Sequence, residues 1–172
     1  SYTTPTIAGF NLQYLHGFGE VAGNTSKNET NAFLLTGKIA GVAVSAGHES
    51  QKDSSGNKAL TKNLLGAVYS IGPVQLNAGL NTFKNPGSTI DATGYEVGAA
   101  YSFTPALVGA VNYVSIKDDY AHTTSKNPSA SLKYSFSKRT SVWGLVSSVD
   151  PKTTGTSGVT IPVSAFYNAF NT

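Results

Sequence analysis

The sequence has no cysteine, no methionine and a single tryptophan, and few of its 172 residues are charged. Without cysteine it can form no disulfide and offers no thiolate to a metal ion. Only 12% of the residues are charged, whereas about a quarter is usual in soluble domains. The net charge of +3 is small and forms no basic cluster, so we expect no nucleic-acid partner.

Long hydrophobic runs are absent as well. The longest, such as residues 39–44, are far shorter than the ~20 residues of a membrane helix, so any membrane crossing must use strands. The 18 glycines, 9 tyrosines and 8 phenylalanines are typical of barrels with a polar interior and aromatic girdles. Composition alone fits a soluble β-sandwich about equally well.

Apolar and polar residues alternate with a period of two in several segments. The alternation is clearest in residues 10–14, 74–82, 94–103 and 130–136. Such segments predict strands with one apolar face and one wet face of amides and small residues. No helical period of any length is present.

The complete pattern predicts eleven strands, at residues 1–4 (a stub), 10–16, 30–37, 42–49, 60–71, 74–83, 92–103, 106–117, 128–136, 141–149 and 159–170. The predicted connections alternate between short turns and long polar loops, the long ones at residues 17–29, 50–59, 84–91, 118–127 and 150–158. Alternation places all short turns at one end of the sheet, as in membrane barrels. A Greek-key sandwich has no reason to keep such a rule.

The positions of four aromatic residues also favour a membrane barrel with its short turns at one end. Tyr101, Phe103, Tyr134 and Phe136 end strands beside predicted short turns. We predict that they face outward at the periplasmic rim, where aromatic belts lie. The competing interpretation is the ordinary preference of aromatic residues for strands.

The opposite, wet faces provide candidates for the wall of a water-filled pore. The candidate pore-lining residues are Asn11, Gln13, Lys62, Gln75, Asn77, Asn81, Glu96 and Lys133. Such side chains hydrogen-bond water without blocking a lumen. We expect Lys62 and Lys133 to act as lumen cations, opposed by Glu96. The competing interpretation is the solvent-facing side of a soluble sheet.

Residues that could carry catalysis or bind metal are scattered. His16, His48 and His122 lie in different segments without metal-ligand spacing. The acidic pairs or runs at 118–119 and 53–57 lack the full spacing of a calcium loop, and we interpret them as solvated loops. No serine has a recognisable His/Asp partner. We therefore predict no enzymatic activity, no catalytic or metal site, and no cofactor.

Four segments resemble the general diffusion porins of Gram-negative β-proteobacteria. They are residues 2–10 (YTTPTIAGF), 19–26 (GEVAGNTS), 97–111 (VGAAYSFTPALVGAV) and 132–142 (LKYSFSKRTSV). The turn Ser137-Lys138-Arg139-Thr140 is the most specific of these, and the resemblance extends to about residue 149.

The resemblance implies an all-β, antiparallel up-and-down transmembrane β-barrel in the bacterial outer membrane. Porins of this family have sixteen strands and form trimers, so about eleven of sixteen strands would be present here. It also implies passive diffusion of small hydrophilic solutes and ions, with outer-membrane lipid and lipopolysaccharide as surroundings. If 137–140 is the last periplasmic turn, strands one to five and the inward-folded third loop are missing.

We therefore expect residues 1–172 to form a single porin-like domain that is incomplete at the N-terminus, and whether it is also incomplete at the C-terminus stays open. Residues 159–172 would be either a divergent last strand or part of the final loop, since Pro162 disfavours a central strand. Two other functions stay open: a structural or adhesive surface protein that assembles through its sheet edges, and an outer-membrane barrel enzyme.

Overall fold

The computed structural model of the protein describes residues 1–19, 22–87, 90–148 and 150. These residues form one sheet of ten strands in the order β1 to β10, and every strand pairs antiparallel with its neighbours in sequence. The predicted antiparallel, up-and-down arrangement is confirmed. Within the described part of the chain, no helix is long and apolar enough to cross a membrane.

For the ten described strands, the bounds agree with the predicted ones to within two residues, except at the end predicted at residue 49 and the start predicted at residue 128, where the strands extend three and five residues further. The strands are β1 (Tyr2–Thr3), β2 (Phe10–Gly17), β3 (Thr30–Ile39), β4 (Val42–Lys52), β5 (Lys58–Ile71), β6 (Val74–Asn85), β7 (Ile90–Ser102), β8 (Leu107–Asp118), β9 (Thr123–Ser137) and β10 (Thr140–Ser147). The eleventh predicted strand, 159–170, lies outside the described residues.

Connections at one end of the sheet are short turns, as expected. They include the two-residue turns 40–41, 72–73 and 138–139. In the first, Ala40 and Gly41 both have positive φ, at 49° and 83°. Two such residues in succession form the type I′ turn that matches the twist of a β-hairpin. We call this the short-turn end.

The opposite end, which we call the loop end, differs from the prediction. The loops predicted at 50–59 and 118–127 shrink to residues 53–57 and 119–122 because the strands continue further. Backbone pairing reaches as far as Asp118 opposite Thr123. The backbone hydrogen bonds between paired strands do not require an apolar face. They therefore continue through polar residues that the hydrophobic periodicity had assigned to loops.

Pro128 shows why the start of β9 was misplaced. The sequence-based strand began at this proline, whereas β9 begins five residues earlier, at Thr123. The carbonyl oxygen of Pro128 accepts a hydrogen bond from the backbone N–H of Ser148, at 3.0 Å. The nitrogen of Pro128, which carries no hydrogen, therefore faces the end of the edge strand β10. There the missing N–H costs the sheet few backbone hydrogen bonds.

The sheet buries almost no hydrophobic side chains against itself. Among the described hydrophobic residues only Ala92 and Ala100 are buried. By contrast, Leu65, Val97 and Val111 on central strands leave more than half of their surface exposed, at 53%, 53% and 57%. A water-soluble sandwich would bury such residues between two sheets. This sheet instead presents them to its surroundings over a large area, as membrane proteins do.

Candidate functional site

All eight candidate pore-lining residues lie on one face of the sheet. Directly paired residues in an antiparallel ladder point to the same side, so the register carries each face from strand to strand. Gln13 pairs with Leu34, Gln75 with Ala100, and Asn77 with Gly98. Tracing these pairings from β2 to β10 places the whole set together: Asn11, Gln13, Lys62, Gln75, Asn77, Asn81, Glu96 and Lys133. We call this side the amide face.

The amide face is less polar than the sequence suggested. Large apolar side chains share it, mostly on strands whose alternation was weak: Leu15, Leu34, Leu60, Leu64, Val68, Phe83, Val108, Val114, Ile116, Trp143 and Leu145. The expectation of only polar and small residues on this side was therefore too simple. The wall alternates between amide, glycine and aliphatic patches.

Hydrogen bonds hold several amide-face side chains in place. Oδ1 of Asn11 accepts a short hydrogen bond from the hydroxyl of Thr36 on the next strand. Nε2 of Gln75 donates to the hydroxyl of Ser70 at 3.3 Å, across the β5–β6 hairpin. These cross-strand contacts stabilise the side-chain positions along the wall.

Lys62, one of the two expected lumen cations, is paired. Its Nζ lies 3.3 Å from Oε2 of Glu49 on β4 and 5.6 Å from the ring centre of Phe83. Glu49 also accepts a hydrogen bond from Nε2 of Gln51, at 2.6 Å. The charge of Lys62 is thus largely compensated, and the sequence-based analysis missed its partner. The signal was available, since Glu49 and Lys62 carry opposite charges on neighbouring predicted strands.

Glu96 has a different environment from Lys62. It lies mid-strand on β7, is 2% exposed, and accepts no hydrogen bond from the described residues. Nδ2 of Asn77 is likewise buried without an acceptor among them. Both belong to the predicted set, and they lie on adjacent strands.

The opposite face, which we call the apolar face, carries a band of exposed hydrophobic side chains. The four predicted aromatic residues form the border of this band at the short-turn end, and all four are exposed. Tyr101 and Phe103 contact edge to face with ring centres 4.9 Å apart, and Tyr134 and Phe136 do the same at 4.9 Å. None is enclosed in a core, as the interpretation of an outward-facing belt requires.

At the loop end, the border of the apolar face consists of polar side chains that are joined by hydrogen bonds. His48 Nδ1 lies 2.7 Å from Oδ1 of Asn63, whose Nδ2 donates to the hydroxyl of Thr82 at 2.8 Å. His16 and Asn31 form the same cross-strand pair one hairpin earlier, at 2.7 Å. Two of the three histidines thus belong to a repeated His–Asn pair at this border, which the sequence-based analysis did not detect.

At the loop end, charged contacts join neighbouring loops. Lys52 Nζ lies 3.4 Å from Oε2 of Glu29, and the backbone N–H of Asn28 donates to the carbonyl of Asp53 at 3.0 Å. The side-chain hydrogen bond from Asn31 lowers the pKa of Glu29 below its ordinary value, and Lys52 adds to this effect. The β2–β3 loop is thereby tied to the end of β4.

The two acidic segments form turns. Oδ1 of Asp53 accepts backbone hydrogen bonds from Ser55 and Asn57, at 2.8 and 2.9 Å. Oδ1 of Asp118 accepts from Tyr120 and Ala121 in the same way, at 2.9 and 3.0 Å. These are Asx turns, in which the carboxylate shapes the backbone. Within the described part of the chain, no three His, Cys, Asp or Glu residues cluster as metal ligands would.

A single up-and-down sheet with an exposed apolar face and an amide face is the architecture of an outer-membrane β-barrel protein. A family model for Gram-negative porins matches residues 1–154. The chain therefore belongs to the Gram-negative porin family, and its location is the bacterial outer membrane. No curated protein matches the chain significantly.

Solved structures share the fold at low sequence identity. An anion-selective porin from Comamonas acidovorans is 21% identical with a TM-score of 0.72, over 85% of this chain and 46% of that one. OmpT, an outer membrane protein of Vibrio cholerae, is 16% identical with a TM-score of 0.64, over 85% of this chain and 52% of that one. OmpF of Salmonella typhi, solved with daunomycin, is 21% identical with a TM-score of 0.60, over 78% and 47%. The chain thus spans about half the length of these proteins.

Proposed function

We propose that this chain forms part of the wall of a water-filled outer-membrane channel, through which small hydrophilic solutes and ions diffuse passively. The observation that carries the proposal is the division of one sheet into two faces. All eight candidate wall residues share the amide face, while the opposite face exposes leucine, valine and aromatic side chains. A hydrated lumen on one side and lipid on the other account for both faces.

The borders of the apolar face indicate how the sheet lies in the membrane. The aromatic belt at the short-turn end would lie at the periplasmic rim. The His–Asn pairs and the ion pair between Lys84 and Asp91, at 2.8 Å, would lie at the outer rim. There they would meet the sugars and phosphates of lipopolysaccharide, because polar and cationic groups suit such headgroups.

Closure and assembly require more chain than the described strands. β1 and β10 form the two edges of the sheet in the described residues, and unpaired edges do not occur within hydrocarbon. We propose that further strands close the barrel and that three barrels associate as a homotrimer. The family is one of channels, and we propose no enzymatic activity for this member.

Recordings from planar lipid bilayers test this function. We expect the natural outer-membrane protein that carries this sequence to insert and conduct with a current that rises linearly with salt concentration. Linearity is expected because the amide-face candidates are spread over five strands and not gathered around one solute. A protein that inserts but never opens, or a current that saturates at micromolar solute, would contradict general diffusion.

Selectivity between ions should depend on the pair formed by Glu49 and Lys62. We expect Glu49→Gln to shift the reversal potential toward anion preference, because Lys62 then loses its compensating charge. The shift should be larger at 0.01 M than at 1 M salt, since the Debye length falls from ~30 Å to ~3 Å. Lys62→Gln is the matched variant and should shift the potential in the opposite direction. Equal potentials in all three proteins would remove this pair from the conducting path.

A further inference from the structure

The middle of β7 contains a carboxylate in a hollow lined by glycine. Glu96 is flanked on its own face by Gly94 and Gly98, and it pairs with Gly79 on β6 and with Val114 on β8. None of these glycines has a side chain, which leaves space for the carboxylate to lie against the wall. Glu96 is 2% exposed, and neither of its carboxylate oxygens has a hydrogen-bond partner among the described residues.

Two amide oxygens converge over Gly98, the next residue of the same face. Asn77 on β6 and Asn112 on β8 both pair with Gly98, from opposite sides. A Cβ atom placed on Gly98 would lie 1.9 Å from Oδ1 of Asn112 and 2.6 Å from Oδ1 of Asn77. The two oxygens therefore occupy the space above the glycine. Glu96 lies two residues further along the same face, about 6.8 Å away along the strand.

The donor set indicates the kind of ligand. A buried carboxylate is costly unless an opposite charge accompanies it. Lys62, a cation on the same face, lies two strands away on β5 and is held by Glu49, at 3.3 Å. Carboxylate and amide oxygens are the ligands that hard cations such as Ca²⁺ prefer, and a single carboxylate gives weak binding.

We infer that Glu96, Asn77 and Asn112 form a weak binding site for hard metal cations in the wall of the channel. Through this site, divalent cations bind transiently while they pass, and their occupancy reduces the current. The site deepens the proposed channel function and depends on it for access to ions. Gly98 is its central element, because any side chain there would displace both amide oxygens.

The first experiment measures the effect of CaCl₂ on the conductance of the natural protein in bilayers containing NaCl. We expect the current to fall with a half-effective Ca²⁺ concentration of roughly 1 mM, in the range of weak oxygen-ligand sites. Glu96→Gln should raise this concentration at least tenfold. Asp91→Asn removes the same charge from the opposite face of the sheet, where Asp91 pairs with Lys84, and it should leave the half-effective concentration within about twofold.

Gly98→Ala provides a test without any change of charge. The methyl group should displace the side chains of Asn77 and Asn112, whose flexible ends can move without unfolding the strand. We expect it to weaken the effect of Ca²⁺ several-fold while the conductance in NaCl persists. The inference is overturned if Glu96→Gln and Asp91→Asn respond to Ca²⁺ alike, or if Gly98→Ala responds like the unmodified protein.

Failure of the inference can be distinguished from failure of the channel function. A protein that opens no channel would refute passive diffusion, and calorimetric titration of the detergent-solubilised protein with CaCl₂ would then decide the site alone. Binding that Glu96→Gln abolishes supports the site in that case. Absence of binding, or binding equal in both proteins, refutes it.

Discussion

Replacing Leu76 by arginine should destabilise the folded protein in a lipid bilayer by about 1–2 kcal/mol, between the cost of a lipid-facing cation at the midplane of a barrel and its cost near the interface. Leu76 lies on the apolar face of β6, 46% exposed, between Tyr69 and Ala99 in the register. The next residue of this face toward the short turn, Val74, pairs with Tyr101 of the aromatic belt, so an arginine at position 76 lies between the midplane and the periplasmic rim. Reversible denaturant unfolding of protein refolded into phospholipid vesicles would measure the change.

The matched control is the preceding residue. Gln75 lies on the amide face, so Gln75→Arg places the same charge at almost the same depth but toward the proposed lumen. We expect a change of less than about 0.5 kcal/mol, as for most exposed substitutions. If the two arginine variants lose equal stability, the assignment of lipid to the apolar face is wrong.

Replacing Val97 by proline should prevent formation of the folded protein. Val97 lies in the centre of β7, which pairs over its length with β6 and β8. Proline removes a ladder hydrogen bond and leaves a carbonyl without a partner in hydrocarbon, where each such group costs several kcal/mol. Electrophoretic mobility of the unboiled protein, which separates folded barrels from unfolded chains, would show the loss.

Pro128 supplies the comparison for this substitution. It is a natural proline within β9, and its missing N–H faces the end of the edge strand. We expect Pro128→Val to fold normally, within about 1 kcal/mol of the unmodified protein. A folded Val97→Pro variant would mean that β7 is not held on both sides as described.

Some features could be predicted because they depend on neighbouring residues alone. Alternation within residues 74–82 identified a strand and the face of each side chain, since a strand has a period of two. Glycine and proline marked short turns such as 72–73, which identified hairpins and hence antiparallel neighbours. Seven of the eight wall candidates followed from the same alternation, whereas Lys62 was chosen for its charge, and the register places all eight on one face.

Strand ends were harder to predict than strand centres. β9 continues through Pro128 to Thr123 because the backbone ladder with β8 goes on after the hydrophobic pattern stops. Hydrophobic periodicity reports where a face meets lipid, whereas the ladder depends on backbone groups that every residue possesses. The loop predicted at 118–127 was too long for this reason.

By itself, the sequence determined that this chain is an antiparallel sheet with one apolar and one amide face, because both properties follow from local alternation and turn chemistry. Only the tertiary structure decided which side chains meet. The pairing of Glu49 with Lys62, the contact of His48 with Asn63, and the convergence of Asn77 and Asn112 over Gly98 all depend on register. A shift of one residue between strands would leave each segment's pattern unchanged and abolish all three contacts.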